Sequence, residues 1–236
     1  LLFESAFTLD ARQLRHNLLP VVVLAVPGLM LSTALIGVLV WWFTPIELPA
    51  ALVLGSILSA TDPVAVVALF KRLGAPKRLT ILVEGESLFN DATAIVASRI
   101  LLGVAVAGYF TAGTAFTGMR DFVIVFLGGV LVGGCAALIF GWILGIVEGD
   151  PFIEISLTTV LAYSSFLIAE EVFHVSGVMA TVTAGITMGC WGRTKISASV
   201  ADYLDHFWEY LVFVANALIF LMVGLRVDLG AFYQSV

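Results

Sequence analysis

Glu84, Glu86 and Asp91 fall within eight residues of each other in the stretch EGESLFNDATAIV (84–96), with Asn90 beside the last of them. The surrounding chain is 61% hydrophobic. A charge near the centre of a bilayer costs about 2.5–3.5 kcal/mol on insertion scales, so acids in such a setting point to use. Read as helix, Glu86 and Asn90 are four apart and share a face, as do Ser87 and Asp91. Asn90 and Asp91 lie about 15–18 Å along that helix from its start, roughly halfway across a membrane. A carboxylate at that depth can trade H+ for a hard cation, because both compete for the same oxygens. Arg99 is about 12 Å further along the same helix, too far to pair with Asp91 directly. Glu86 has two readings, as part of an ion site or as a structural partner for a basic residue on another helix.

A second candidate precedes it. In ALVLGSILSATDPVAVVALF, Asp62 is followed by Pro63. Proline removes an N–H and pushes the preceding residue out of the α region, so the helix is expected to open near Thr61 and Asp62. Backbone freed in lipid must find partners or line a polar cavity. Mid-membrane helix ends with unwound carbonyls are a common way to build an ion site in secondary transporters. Thr61 and Asp62 add a hydroxyl and a carboxylate there. A plain proline kink with a structurally bonded Asp62 is the simpler alternative.

The elements that must carry these residues follow from composition. Charged residues are 12% of the chain, about half the share of a soluble domain, and mean hydropathy is +1.09. Apolar runs reach the roughly 20 residues that a spanning helix needs, and the ten-residue alternation of a membrane β-barrel does not appear. The fold class expected is an all-α polytopic membrane protein with a broken transmembrane helix, in one transmembrane domain over 1–236. Seven spans are expected, at 19–43, 48–70, 79–107, 121–147, 153–173, 175–191 and 208–225, with 1–9 as the tail of an earlier helix. Lys and Arg divide eight to two between alternate loops, which by the positive-inside rule puts 10–18, 71–78 and 192–207 in the cytoplasm. The membrane is then a cell membrane, crossed several times. Cys135 and Cys190, far apart in apolar helical context, read as small packing residues and not as a disulfide or metal pair. Trp41, Trp42 and Trp191 at span ends read as an aromatic belt. Gly128, Gly129, Gly133 and Gly134 suggest close helix packing. Glu170 and Glu171 read as outer-entrance or interface residues, and His174 as a turn residue. The start at Leu1 inside an apolar phrase, without Met, reads as a piece of a longer transporter.

With SATDPVAVVALF and EGESLFNDATAIV on the page, together with FLIAEEVFHVSGVMATVTAGITMG (166–189) and ANALIFLMVGLRVD (215–228), the chain resembles the first monovalent cation/proton antiporter family, the NhaP and sodium/proton-exchanger group. The likeness covers nearly the whole chain. It implies an inverted-repeat antiporter fold of which this chain is part, with the broken helix crossing a repeat partner. It implies Asp91, Asn90, Asp62, Thr61 and Ser87 at the ion and proton site, with Asp91, Asp62 and Thr61 around a transported Na+ and with Pro63 and Glu86 supporting. Glu86 matches a glutamate that the family pairs with an arginine on a later helix, and Arg226 comes too early to be that arginine. Asn90, where electrogenic relatives carry a second acid, implies electroneutral exchange of one cation for one proton. The partners implied are Na+ or another monovalent cation (Li+, K+), H+, the lipid bilayer and a second copy in a homodimer, with no nucleic acid and no cofactor beyond the transported ions. The expected activity is antiport and not enzymatic. Two other classes are weighed against it. One is a cation or pH sensor that binds without transport. The other is an intramembrane aspartyl protease using Asp62 and Asp91, which the absence of a GxGD pattern disfavours.

Overall fold

The computed structural model describes residues 1–9, 11–107, 112–147 and 149–226. Among them there are helices and no strand. Helix α1 (Leu2–Thr8) is short. Helix α2 (Ala11–Val23) passes through a π turn, Leu24–Gly28, into α3 (Leu29–Phe43). Pro27 lies in that turn; with no N–H to give to the preceding turn, it favours a local widening over a regular α hydrogen bond.

Helix α4 (Leu48–Leu58) stops, and α5 (Val64–Leu73) begins after a break of five residues, 59–63. Pro63 stands at the N-cap of α5 with φ −89° and ψ 6°. At its other end α5 stops on Gly74, whose φ of 64° a side-chain-bearing residue adopts at a cost. The N–H of Ala75 then closes back onto the Phe70 carbonyl at 3.0 Å. Helices α6 (Lys77–Ala107) and α7 (Ala112–Leu144) are long. Asp150 caps α8 (Pro151–Leu167), accepting the N–H groups of Phe152 and Ile153 at 2.9 and 3.3 Å. A second π turn (Ile168–Val172) and a tight turn at His174, φ 52°, lead to α9 (Gly177–Cys190). Ser176 caps α9 through the Met179 N–H at 3.1 Å. After a short 3₁₀ turn (Gly192–Thr194), α10 (Ala198–Arg226) ends the described chain.

Among the described residues, five helical stretches are long and apolar enough to cross a membrane: Gln13–Phe43, Lys77–Val106, Phe116–Leu144, Pro151–Val172 and Ser199–Leu225. The stretches expected as spans at 48–70 and 175–191 are occupied by shorter helices, the α4–α5 pair and α9. Between 6% and 33% of the apolar windows of the long helices is buried. Much of their outer surface is Leu, Ile, Phe and Trp, for example Leu31, Leu131, Trp142, Phe213 and Phe220. A water-facing surface would not carry that much large apolar area, whereas hydrocarbon is its natural solvent. Cys135 and Cys190 are free thiols exposed on α7 and α9, so packing inside the bundle does not account for them.

The helices pack in two groups. Helices α2, α3, α4 and α5 gather on α6, and α1, α7 and α8 gather around α9, with α10 packed on α8 and α1. The second group's core is built from Phe3, Phe7, Leu144, Leu161, Met188 and Trp208. α6 joins the groups through three apolar seams: Ala94, Val96 and Ala97 with Leu29 and Phe122, Ala92 with Val178 and Met179, and Leu88 with Ala6 and Val182. Small residues let the backbones approach. A Cβ on Gly133 of α7 would lie 2.7 Å from the Cα of Ala180 on α9, while one on Gly134 would meet Thr183 Cγ2 at an ordinary 3.9 Å. Gly133→Ala is therefore expected to lower the melting temperature in detergent, by an overpacking penalty of about 1–3 kcal/mol. Gly134→Ala is expected to leave it unchanged.

Candidate functional site

The interruption between α4 and α5 leaves backbone oxygens that no helix satisfies, and one face of α6 meets them. Ser87 Oγ donates to the Thr61 carbonyl at 2.8 Å. Asn90 Nδ2 donates to Glu86 Oε1 at 2.9 Å, and lies 3.1 Å from Thr61 Oγ1 and 3.3 Å from the Ser59 carbonyl. The Thr61 hydroxyl reaches Glu86 Oε2 at 3.5 Å. Ser59 Oγ donates to the Gly55 carbonyl at 2.7 Å and accepts from Thr33 at 3.4 Å. The bonds that a continuous helix would have made within itself are replaced by bonds to α6, as a low-dielectric setting requires. The four-residue spacing of Glu86 and Asn90 is what puts both on this face.

Asn90 is 3% exposed and its Oδ1 has no partner. The amide orientation follows from its neighbours: the Ser59 carbonyl and the Glu86 carboxylate only accept, so the NH₂ must face them. A buried amide oxygen is thereby left over, a neutral ligand of the kind hard cations take. Asp91 is half-buried on the next position of α6, and the carboxylates of Asp62 and Glu86 are its electrostatic neighbours. Asp62 and Thr61 are exposed at the break, and Pro63 is half-buried below them. A cavity of about 310 Å³ opens beside the cluster, bounded by Gly28 and Ser32 on one side and by Ser59, Thr61, Glu86 and Asn90 on the other. Among the described residues, no three His, Cys, Asp or Glu side chains come together as a metal cage. The oxygen set is mixed instead, with hydroxyl, amide, carbonyl and carboxylate.

The residues singled out from sequence thus fall in one place. Thr61, Glu86, Ser87 and Asn90 form a hydrogen-bonded group, with Asp62 and Asp91 beside it. Glu86, for which two roles were open, bonds within the group to Asn90 and Thr61. Arg99 turns away from the acids and pairs with Glu170. Ser59, whose carbonyl faces Asn90, was not singled out; a serine closing the apolar run just before the break was its one visible signal. Gly28 and Ser32 belong to the cavity only because of the π turn, which hydropathy does not report.

An all-helical, multi-pass membrane protein with an interrupted helix facing a cluster of acids is the class these features define. The model of the transmembrane sodium/hydrogen exchanger family matches residues 1–235, and the chain belongs to that family. It is 40% identical over 233 residues to the Na+/H+ antiporter ApNhaP of Aphanothece halophytica, covering 97% of this chain and 43% of that one. It is 40% identical over 236 residues to sodium/hydrogen exchanger 7 of Arabidopsis thaliana, covering 98% and 20%. The structure of the sodium proton antiporter MjNhaP1 from Methanocaldococcus jannaschii at pH 8 superposes with a TM-score of 0.77 at 24% identity, over 97% of this chain and 55% of that one. The chain spans less than half the length of those two curated relatives.

Proposed function

We propose that this chain forms the ion-site part of a secondary antiporter that exchanges a monovalent cation for H+. Na+ is the first choice of cation, with Li+ and K+ as further cargo. Asp91 is the shared carboxylate: it holds either the proton or the cation. Thr61, Ser87, Asn90 and Asp62 supply the remaining oxygens and their positioning, with Glu86 and Pro63 in support. Asn90 is neutral, so a single carboxylate changes its cargo and exchange is electroneutral. The group carrying the interrupted helix moves against the other group, which also serves a homodimer, and presents Asp91 to each side in turn. Loops 10–18, 71–78 and 192–207 face the cytoplasm. The observation that carries this reading is the unpartnered, buried Asn90 Oδ1 next to Asp91 at a helix break. Relatives named as Na+/H+ antiporters support it.

The test is proton flux in vesicles holding the complete protein and an internal pH dye. Addition of Na+ to one side is expected to dissipate a pH gradient at a rate that an imposed membrane potential leaves unchanged. Cation binding without flux would favour a sensor, and a potential-dependent rate would remove electroneutrality.

A further inference from the structure

Glu170 and Arg99 meet across the boundary between the two helix groups. Glu170 sits in the π turn Ile168–Val172, where the Phe173 N–H reaches back to the Ile168 carbonyl at 3.2 Å. Its Oε2 accepts the N–H of Gly177, the first residue of α9, at 3.2 Å. The next backbone N–H upstream, that of Ser176, is bonded to the Val125 carbonyl of α7 at 3.0 Å. The carboxylate is therefore tied to the second group through the Gly177 N–H, in a turn that is itself pinned to α7 at Ser176. Its other oxygen, Oε1, takes the Arg99 guanidinium from α6. Another ion pair among the described residues, Arg193 with Asp205, lies inside the second group. The clusters that join α6 to that group elsewhere are apolar.

The pair also stands at an opening. Arg99, Glu170, His174 and Ser176 line a cavity of about 320 Å³. It lies beyond Asp91 along α6, on the side away from the basic 71–78 loop. The two side chains are 55% and 25% exposed, so the pair lies at the rim of this cavity and not inside the packed seam.

We propose that Arg99 and Glu170 are a latch on the outer mouth of the exchange pathway. Closed, it holds α6 against the π turn and keeps Asp91 from the outer side; it must open for Asp91 to face outward. Both are positioning residues that set the balance between the two orientations without touching the ion. The proposal rests on the exchange reading above.

The test is made in the complete protein in vesicles, with Cys135 and Cys190 replaced by Ser. Arg99→Cys and Glu170→Cys are bridged by a short bifunctional methanethiosulfonate reagent. Bridging is expected to stop Na+-dependent proton flux, and a reducing agent to restore it. A bridged protein that exchanges as fast as the unbridged one overturns the latch, as does a pair that the reagent fails to bridge. Glu170→Gln, which keeps an acceptor for the Gly177 N–H, is expected to lower the external Na+ concentration at half-maximal rate a few-fold. Arg99→Gln should do the same. No shift in either single variant also overturns the latch. A wild type without Na+-dependent flux removes the exchange reading itself, whereas flux that persists through bridging removes the latch alone.

Discussion

Asp91→Asn is expected to reduce Na+-dependent proton flux to the background of empty vesicles while the protein still folds and inserts. The substitution keeps the shape of the side chain and one oxygen, and removes the only property the proposed cycle needs from it, a site that takes either H+ or a cation. Folding should survive because none of the hydrogen bonds that knit the helix break to α6 comes from Asp91. They come from Ser87 and Asn90 to Thr61 and Ser59. The same logic fixes a sign for pH. Protons and cations compete for Asp91, so lowering the pH on the cation side must weaken apparent Na+ binding. In the fully competitive regime the half-saturating Na+ concentration rises about tenfold per pH unit. In Asp91→Asn, residual Na+ binding should lose that dependence, and isothermal titration at two pH values checks it. Undiminished flux in Asp91→Asn would move the shared carboxylate to Asp62 or Glu86, its electrostatic neighbours.

The break at Thr61–Pro63 and the Ser87–Asn90–Asp91 face were legible because each rests on a local rule. Pro63 cannot continue a helix, and a four-residue spacing puts Glu86 and Asn90 on one face. The group's internal bonding was not legible, since Asn90 meets the Ser59 carbonyl 31 residues away and Ser87 the Thr61 carbonyl 26 away. Local pattern says nothing of such distances. Arg99 and Glu170, 71 residues apart, could be excluded from one partner by helix rise but not assigned another. Hydropathy located apolar runs, yet it does not register where a run is divided between α4 and α5, or that α9 is 14 residues long. It was equally blind to the two π turns, which add a residue to a turn without altering apolarity. One of them lines the cavity by the acids and the other holds Glu170.

Glu154, an acid not singled out from sequence, carries the largest expected effect on stability. It lies in the first turn of α8 and is 0% exposed. Its Oε1 accepts the Ser197 hydroxyl at 2.6 Å and the Gly149 N–H at 3.1 Å, and its Oε2 accepts the Ser197 N–H at 3.0 Å. Gly149 turns the chain into α8 with a φ of 94°, and Ser197 starts α10, its carbonyl accepting the Val200 and Ala201 N–H groups at 2.8 and 3.1 Å. One carboxylate therefore ties the entries of two helices, near the positive end of each. Glu154→Ala removes three hydrogen bonds from the exposed Gly149 and the half-buried Ser197 to one buried side chain, so the expected loss is about 3 kcal/mol, the upper end for a hydrogen bond to a charged group. Thermal unfolding of the complete protein in detergent reads it as a marked fall in melting temperature. Glu154→Gln keeps one acceptor oxygen but turns an NH₂ toward a donor, and should lose about 1–3 kcal/mol. Ser197→Ala deletes one of the three donors without stranding the others, and its effect should be smaller and should not add to that of Glu154→Ala, since both act on one network. Full additivity of the pair would mean that Glu154 and Ser197 stabilise the junction separately, and that water, not Ser197, satisfies the carboxylate.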